Sequence, residues 1–339
     1  MKELRLDLKE KSYSIYIGKG LLGKAGELFN LKRKVLIVTD SGVPKEYSER
    51  LLSLCESARI ITLPMGEGSK SFDGLKSVLS EMSRMEMGRS DCLVAVGGGV
   101  VGDLTGFAAS CYMRGVDFYN IPTTTLSVLD SSIGGKTAIN FEGIKNNVGA
   151  FHQPKGVLID TDTLKTLDER QYASGLAEAV KMSLTSDAEL FSMFENYSVE
   201  EIKENIEAII EKALQIKKAV VEEDEKETGL RKILNFGHTF GHGIEAEEEL
   251  HGMYHGECVA IGMLPVSSKE VRDRLTPVLK KLSLPTEYKG DVKKALGYVT
   301  HDKKATAGKV SVILVRAVGS FEIRKMDISE FEELVLSNM

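Results

Sequence analysis

Short apolar runs alternate with stretches of helical spacing through the first half of the chain, and this alternation constrains the fold more than any other feature. The runs cover residues 34–40, 58–63, 91–96, 118–122 and 156–160. Between two of them, residues 72–87 carry apolar side chains at helical spacing. Strands that alternate with helices predict a mainly parallel sheet covered on both faces. Residues 4–17 predict an additional antiparallel hairpin.

The pattern changes after about residue 161, where long helical stretches dominate. One apolar stripe consists of Ile202, Ile206, Ile209, Ile210, Ala213, Leu214, Ile216, Val220 and Val221. Residues 310–315 read as a strand again. Because 339 residues exceed what one hydrophobic core usually serves, we predict two domains. Residues 1–160 form an α/β domain with a parallel sheet, and residues 161–339 form a mainly α-helical domain.

Charge and composition exclude several classes of protein. The net charge of -6 argues against a nucleic-acid binder, which needs a basic face. No apolar run approaches the roughly 18 residues that span a bilayer, and the N-terminus lacks the apolar core of a secretory signal. The cysteines form no Cys-x-x-Cys pair, so we expect structural thiols in a reduced, cytoplasmic protein.

A glycine-rich turn, residues 97–103, follows the third predicted parallel strand and fits G-x-G-x-x-G. A strand before it and a helical pattern after it favour a phosphate group bound at a helix N-terminus. A dinucleotide fingerprint usually follows the first strand, so a tight turn without a ligand is the alternative. Asp40, at the end of an earlier strand, is either a ribose contact or an ordinary turn residue.

A second loop, residues 130–137, ends in Gly-Lys-Thr but is not a nucleoside-triphosphate loop. That motif needs a glycine at position 130, which is aspartate here. The Gly-Gly-Lys turn can still hold an anion with backbone amides and the ammonium group of Lys136. Lys145 and Asn146 follow closely, so the segment predicts either a site for an anionic substrate or a solvated surface loop.

Three histidines lie close together in a glycine-rich segment. His238 and His242 have the i, i+4 spacing of one helix face, and His255 begins another helical pattern. The glycines at 237, 241 and 243 each cost a helix about 1 kcal/mol relative to alanine, which indicates close packing against a ligand or another backbone. The cluster predicts a divalent metal of the zinc type.

The remaining ligand is not decided by spacing. Glu178 lies among small apolar residues and is either a metal ligand or the partner of Lys181 in a helix ion pair. Lys217, on the flank of the apolar stripe, reaches either to solvent or into a pocket. Glu227 and Arg231 add one acid and one base ahead of Asn235.

Taken together, these segments resemble the 3-dehydroquinate synthase family. The matching motifs, in family order, are GGGVVGD (97–103), IPTT (121–124), DSSIGGKTAIN (130–140), Lys145-Asn146, GLAEAVK (175–181), RKILNFGHTFGH (231–242), HGECVAIGM (255–263) and Asp302-Lys303-Lys304. The resemblance implies a dehydroquinate synthase-like fold, with a Rossmann-like first domain that binds NAD and a helical second domain that binds metal and substrate.

The resemblance also implies a reaction of the shikimate pathway. The phosphorylated sugar acid 3-deoxy-D-arabino-heptulosonate 7-phosphate becomes 3-dehydroquinate and phosphate. NAD transiently oxidises a hydroxyl, phosphate is eliminated, the hydride returns, and an intramolecular aldol step closes the ring. The implied enzyme is a cytoplasmic homodimer, a lyase that depends on NAD and on zinc or cobalt.

Site residues are implied position by position. The metal ligands are Glu178, His238 and His255. The catalytic positions are Asp130, Lys181, Glu227 and His242. The substrate positions are Arg114, Asp130, Lys136, Asn146, Lys217, Arg231, Asn235, His242 and Lys303, of which Arg114 reaches the neighbouring subunit's site. The NAD positions are Asp40, Glu67, Lys70, Gly98, Gly99, Val100, Asp103, Thr123, Thr124, Lys136, Lys145, Thr163 and Thr166.

Several alternatives stay open at this stage. His251 competes with His255, and Lys304 competes with Lys303. The nearest alternative function is another sugar phosphate cyclase, of the inosose or valiolone synthase type, whose substrate lacks the carboxylate. A metal-dependent polyol dehydrogenase of the same fold is a further alternative, although a neutral polyol needs no anion pocket. A non-enzymatic binding module fits least, because the predicted site has many ionisable groups.

Overall fold

In the computed structural model, which describes residues 1–248, 252–303 and 308–339, the chain divides into Met1–Leu167 and Asp168–Met339. We call these parts the sheet unit and the helical unit.

One seven-stranded sheet forms the centre of the sheet unit. Its strands are β1 (Lys2–Leu6), β2 (Tyr13–Gly18), β3 (Lys34–Asp40), β4 (Ser57–Leu63), β5 (Cys92–Gly97), β6 (Asp117–Pro122) and β9 (Gly156–Asp160). Their spatial order is β1-β2-β9-β6-β5-β3-β4. Strand β1 pairs antiparallel with β2, and the other pairings are parallel. The predicted parallel sheet and its antiparallel hairpin are therefore confirmed.

Apolar side chains cover both faces of this sheet. Successive residues of a strand point to opposite faces, and β3 follows the rule: Leu36 and Val38 belong to one hydrophobic cluster, whereas Val35 and Ile37 belong to another. The helices of the unit are α1 (Ala25–Leu28), α2 (Lys45–Leu52), α3 (Phe72–Arg84) and α4 (Gly99–Cys111). Helices α3 and α4 contribute to the first cluster, and α1 and α2 to the second. Burial on both faces explains the continuous apolar runs in the sequence.

A separate hairpin, β7 (Lys136–Phe141) and β8 (Ile144–Phe151), pairs antiparallel outside the main sheet. No strand was predicted in this region. Strand β8 is mostly exposed, so it lacks the apolar run that reveals a buried strand. The turn at Glu142 and Gly143 has left-handed backbone at both positions, as two-residue hairpin turns of type I′ require.

Helices dominate the helical unit. They are α5 (Glu169–Ser186), α6 (Ala188–Asn196), α7 (Val199–Glu204), α8 (Ile206–Glu223), α9 (His238–Glu247), α10 (His255–Met263), α11 (Lys269–Lys281), α12 (Val292–Lys303) and α13 (Ile328–Asn338). Two strands, β10 (Lys309–Leu314) and β11 (Glu322–Asp327), form an antiparallel pair. Most of the predicted apolar stripe is buried, chiefly along α8. Strand β11 was not predicted, because Met326 is its one buried residue.

Asp and Ser side chains cap several of these helices. Asp168 accepts a hydrogen bond from the backbone N–H of Gln171 at the start of α5, and Asp187 does the same for Leu190 in α6. Such caps satisfy N–H groups that have no partner inside the helix. Among the described residues, no helix is both long enough and apolar enough to cross a membrane.

Candidate active site

Three helices of the helical unit bring Glu178, His238 and His255 together. Glu178 lies in the buried middle of α5 and is 0% exposed, His238 is the first residue of α9, and His255 is the first residue of α10. The Nε2 atom of His238 lies 3.6 Å from Oε1 of Glu178, and Nε2 of His255 lies 3.5 Å from the same oxygen. One ligand atom from each side chain lies within 4.8 Å of the others, as a shared cation requires.

Glycines allow the backbones of these helices to approach closely. A Cβ atom on Gly256 would overlap the carbonyl oxygen of Ser174 in α5, and one on Gly262 would overlap the carbonyl oxygen of Gly237. Gly237, which precedes α9, has φ of +78°, a left-handed conformation that favours glycine. A Cβ atom on Gly237, Gly241 or Gly243 would lie 2.4–3.0 Å from a backbone oxygen of another helix, which confirms the expected close packing against another backbone. The close approach lets α10 present His255 to Glu178 on α5.

The second nitrogen of each imidazole also has a partner. Nδ1 of His238 lies 3.1 Å from the carbonyl oxygen of Phe236, and Nδ1 of His255 lies 3.3 Å from Oε2 of Glu245. Acceptors at Nδ1 favour a proton on that nitrogen, which leaves Nε2 as the atom that can bind a cation when the ring is neutral. Metal-binding histidines in proteins usually have such a partner. Neither Phe236 nor Glu245 was predicted, since neither contact follows from sequence spacing.

The two histidines differ in their electrostatic surroundings. Burial, followed by the nearby Lys181 ammonium, lowers the pKa of His238 well below its ordinary value. Burial also lowers the pKa of His255, but its hydrogen bonds to Glu178 and Glu245 outweigh burial and raise that pKa to about 10. Imidazole binds a metal in its neutral form, so binding of a cation would release a proton from His255.

Glu178 combines the two roles that sequence analysis left as alternatives. Its Oε2 forms an ion pair with Nζ of Lys181, while its Oε1 faces the two histidines. Nζ of Lys181 also donates to the carbonyl oxygen of Leu234 at 2.5 Å. Lys181 is 1% exposed, and a buried ammonium requires such partners. The ion pair therefore positions the carboxylate without using the oxygen nearest the histidines.

This donor set fits a zinc-type cation. Two imidazole nitrogens and one carboxylate oxygen form a ligand set that zinc enzymes use, with a further coordination position left for substrate or water. His242 lies beside the set, with its ring centroid 5.2 Å from that of His238 and 5.9 Å from that of His255. With Glu245 and His255 it forms a second, more exposed group of potential ligands. His251 lies outside the described residues, so its competition with His255 stays untested.

The segment before α9 brings together further predicted residues. Nδ2 of Asn235 donates to Oε1 of Glu227 at 2.5 Å, and Nη1 of Arg231 donates to the carbonyl oxygen of Glu225 at 2.5 Å. Arg231 is 3% exposed, as is Lys217 on α8. These charges are thus held inside the helical unit. Lys303 ends α12, but its side chain and all of Lys304 lie outside the described part of the chain.

Asp224 organises the loop that carries Glu227 and Arg231. Its carboxylate accepts hydrogen bonds from the backbone N–H groups of Thr228, Gly229 and Arg231 at 2.7–3.0 Å. Burial tends to raise the pKa of Asp224, but these hydrogen bonds outweigh it and lower the pKa to about 2. Asp224 was not among the predicted residues.

In the sheet unit, the glycine-rich turn joins β5 to α4. Gly98 is the N-cap of α4, and Gly99 is its first residue. A Cβ atom on Gly98 would lie 3.2 Å from Cγ2 of Thr124, and one on Gly99 would lie 3.0 Å from Oγ of Ser131. The N–H groups of the first turn of a helix attract anions. Both glycines are half-buried, and the turn therefore fits a phosphate group of a dinucleotide.

Close to this turn, four predicted residues from three separate segments meet. Nζ of Lys70 lies 2.5 Å from Oδ2 of Asp103 and donates a hydrogen bond to Oδ1 of Asn146. Asn140, which was not predicted, connects the others: its Nδ2 donates to Oε1 of Glu67 at 2.8 Å, and its Oδ1 accepts from the backbone N–H of Asn146 at 2.9 Å. Burial raises the pKa of Asp103 to about 6 despite the lysine. Asn140 is the last residue of the DSSIGGKTAIN motif, and this position in the motif could have indicated its role.

Several other predicted cofactor residues make local contacts in the sheet unit. Oδ1 of Asp40 accepts from the backbone N–H of Gly42 at 2.8 Å, and Oγ1 of Thr163 donates to the carbonyl oxygen of Asp160. Oγ1 of Thr166 lies 3.1 Å from the hydroxyl of Tyr47. The backbone N–H of Thr123 donates to the carbonyl oxygen of Gly97. These contacts are those of turn residues, and a role toward NAD stays a prediction for each.

The remaining predicted residues of the sheet unit lie on turns and on the hairpin. Val100 lies in the first turn of α4. Asp130 lies in the π-helical turn Ser127–Ser131. Lys136 begins β7 and Lys145 lies on β8, both exposed. Arg114 follows α4 in an exposed turn and has φ of +69°.

Known proteins resemble the chain over nearly its whole length. The family models of the N-terminal and C-terminal parts of 3-dehydroquinate synthase match residues 60–174 and 175–305. The 3-dehydroquinate synthase of Campylobacter concisus is 41% identical over 346 residues, covering 97% of this chain and 98% of the relative. That of Dictyoglomus turgidum is 42% identical over 343 residues, covering 97% and 96%.

Solved structures of other cyclases have the same fold. The 2-epi-5-epi-valiolone synthase of Streptomyces hygroscopicus subsp. jinggangensis, solved with NAD+ and Zn2+ bound, superposes with a TM-score of 0.88. It is 28% identical, and the match covers 98% of each chain. The predicted fold class is thus confirmed.

Proposed function

Since this chain belongs to the 3-dehydroquinate synthase family and has that family's lyase activity, we propose that Glu178, His238 and His255 hold the divalent cation which the reaction uses. The observation that carries this assignment is the convergence of two imidazole Nε2 atoms on one buried carboxylate oxygen, at 3.5 and 3.6 Å. The zinc-containing valiolone synthase structure supports it as a relative. Zinc and cobalt both suit two nitrogens and one carboxylate oxygen.

The cofactors supply chemistry that protein side chains lack. When bound, the cation stabilises negative charge on a substrate oxygen, and NAD accepts a hydride and returns it. We assign the NAD site to the sheet unit. The supporting observations are Gly98 and Gly99 at the N-terminus of α4, and the neighbouring Lys70–Asp103 ion pair.

Buried cations of the helical unit are the proposed sites for the substrate's negative groups. Lys217 and Arg231 are each 3% exposed, so their charged groups have lost most of their hydration. The negative groups of an acidic substrate would compensate for part of that loss. Asn235 and Glu227 form a hydrogen-bonded pair that orients the amide. In the sheet unit, Asp130, Lys136 and Asn146 are the proposed substrate residues. Lys303 belongs to the same proposal.

Proton transfer is assigned to His242, Glu227 and Lys181. His242 is exposed and lies beside the proposed metal ligands, so a substrate bound there lies within its reach. Glu227 is held by Asn235. The ammonium group of Lys181 forms an ion pair with Glu178 and donates a hydrogen bond to the carbonyl oxygen of Leu234. We propose that these groups move or hold protons during the oxidation, elimination and ring-closing steps.

We further propose that the active enzyme is a cytoplasmic homodimer. Arg114 lies exposed on a turn in the left-handed conformation, where its side chain can extend to a second subunit. None of the four cysteines forms a disulfide, as expected for a reduced compartment. Light scattering tests the dimer, and mixing an Arg114→Ala chain with a chain inactivated at His238 tests the shared site. If Arg114 serves the site of the other subunit, the mixture should regain activity. If the subunits are independent, it should stay inactive.

One assay tests the function directly. Zinc-loaded protein with catalytic NAD should convert the heptulosonate phosphate to 3-dehydroquinate, with one phosphate released per product. A sugar phosphate without the carboxylate should react much more slowly. In parallel, His238→Ala should lose the stoichiometric metal on elemental analysis. Absence of phosphate release from metal-loaded protein would overturn the proposal, and full metal retention by His238→Ala would remove that residue from the site.

A further inference from the structure

The two histidines of the proposed metal site are oriented by chemically different groups. A backbone carbonyl, that of Phe236, lies 3.1 Å from Nδ1 of His238. A carboxylate, that of Glu245, lies 3.3 Å from Nδ1 of His255. We propose that Glu245 is a positioning residue, which sets the tautomer and orientation of His255 and thereby strengthens divalent-cation binding. This inference rests on the proposed metal site.

The geometry places Glu245 on the same helix as a ligand but not among the ligands. Glu245 lies two turns after His238 on α9, and α9 packs against α10, which begins at His255. The side chains of Glu245 and His255 are 19% and 22% exposed. Partial burial strengthens a charge-assisted hydrogen bond relative to one in water. Glu245 is therefore well placed to hold the ring.

His255 is held at both of its nitrogens. Nε2 faces Oε1 of Glu178 at 3.5 Å, while Nδ1 faces Glu245 at 3.3 Å. When a cation occupies the lone pair of Nε2, the proton of the neutral ring must be on Nδ1, and Glu245 is the acceptor for it. A carboxylate in this position increases the basicity of the ligand. Loss of such a partner typically weakens metal binding by about 10–100-fold.

Glu245 is also part of a second possible ligand group, with His242 and His255. A cation held by that group would need the lone pair of His255 at Nδ1. A neutral imidazole offers one lone pair, so His255 cannot serve a cation at both nitrogens. Each group contains two histidines and one carboxylate, but the group with Glu178 is the more buried of the two. We therefore assign Nε2 to the cation and Nδ1 to Glu245.

Three variants test this assignment through the cobalt and zinc affinities of the full chain. Glu245→Ala should bind Co2+ roughly 10–100-fold more weakly, as measured by competition with a chelator. Glu245→Gln should lose less, because its amide oxygen still accepts the Nδ1 proton but carries no charge. Glu247→Gln is the matched control on α9: Glu247 forms an ion pair with Lys294 at 2.8 Å, and its variant should keep the affinity.

Further readouts separate this role from a merely structural one. In Glu245→Ala the visible spectrum of bound Co2+ should change while NAD affinity is kept, and kcat at saturating metal should stay within a few fold. An unchanged Co2+ affinity in Glu245→Ala would overturn the proposal. A second ion bound per chain in the wild type that is lost in Glu245→Gln would also overturn it, because Glu245 would then be a ligand itself. If His238→Ala also keeps its metal, the metal site itself fails. If His238→Ala loses its metal while Glu245→Ala binds Co2+ with normal affinity, only the role proposed for Glu245 fails.

Discussion

The sheet unit and the helical unit prepare their functional groups in different ways. In the sheet unit, the glycine turn and Asp40 lie where parallel strands end, and Gly98 and Gly99 begin helix α4. Parallel sheets bring such ends to one edge as a consequence of their topology. In the helical unit, Glu178 and His238 are buried side chains on separate helices. Helices bring side chains together only where their packing permits it.

The charged side chains of the helical site are buried, so each of them needs a contact that compensates for its lost hydration. Glu178 and Lys181 are almost completely buried and stabilise each other, and Lys181 also needs the carbonyl oxygen of Leu234. A buried charge that loses its partner costs several kcal/mol. In the predicted site of the sheet unit, Lys70 and Asp103 form a comparable ion pair. We therefore expect substitutions in the helical unit to change stability and metal binding together.

The largest effect is expected for Glu178→Gln. The amide cannot balance the charge of Lys181, so stability should fall by about 3–5 kcal/mol. Metal affinity should fall by at least about 1000-fold, or about 4 kcal/mol, because the proposed site would lose its carboxylate ligand. Elemental analysis and thermal unfolding measure the two effects. NAD binding by the folded protein is the control, and a variant that kept both metal and stability would contradict the contrast between the units.

Lys70→Met tests the corresponding pair in the sheet unit. Asp103 would lose its counter-charge while staying partly buried, and stability at pH 7.5 should fall by about 2–4 kcal/mol. The double variant with Asp103→Asn should recover much of the loss. Metal affinity should stay unchanged, since this pair belongs to the sheet unit. Reduced metal binding in Lys70→Met would show that the two units are not independent in this respect.

The same pair predicts a pH dependence. Burial raises the pKa of Asp103 to about 6 from an ordinary value near 3.8. A raised pKa in the folded state favours folding below the ordinary pKa, and this contribution is lost as pH rises through about 6. In Lys70→Met the pKa should rise further, so the decline should continue to higher pH. Unfolding measured from pH 4 to pH 8 checks the slope against the wild type.

Gly256→Ala should have a smaller effect that again combines stability with metal binding. The added Cβ would overlap the carbonyl oxygen of Ser174, so α10 must move away from α5. Overpacking of this kind costs about 1–3 kcal/mol, and the shift should carry His255 away from Glu178. Gly297→Ala on α12 is the control, because a Cβ atom added there would meet no described atom within 4 Å. Equal metal affinity in both variants would separate helix packing from ligand placement.

The contrast between the units also explains what could be predicted from the sequence. Buried strands such as β3 and β5 appear as apolar runs because both of their faces are covered. The exposed strand β8 and the weakly buried strand β11 lack that pattern and were missed. The contact of Glu245 with His255 depends on how two helices pack, and spacing along one helix does not encode it. Motif order predicts Glu178 as a metal ligand, but only the geometry shows that each of its carboxylate oxygens has a separate partner.

The smallest effect is expected for Asp224→Asn. In this loop of the helical unit, backbone N–H groups bind a carboxylate, much as those of the glycine turn in the sheet unit are proposed to bind a phosphate. Asp224 accepts three such hydrogen bonds and holds the loop before Arg231. The lowered pKa, about 2, means that its contribution is present above the ordinary pKa and is lost as pH falls from about 4 toward 2. The neutral amide should weaken these bonds by about 1–2 kcal/mol at pH 7, and the difference from wild type should vanish near pH 2. Because the loop carries Arg231, KM for the phosphorylated acid should rise while metal affinity stays constant. A loss of metal instead would mean that the loop supports the histidine helix rather than the substrate residues.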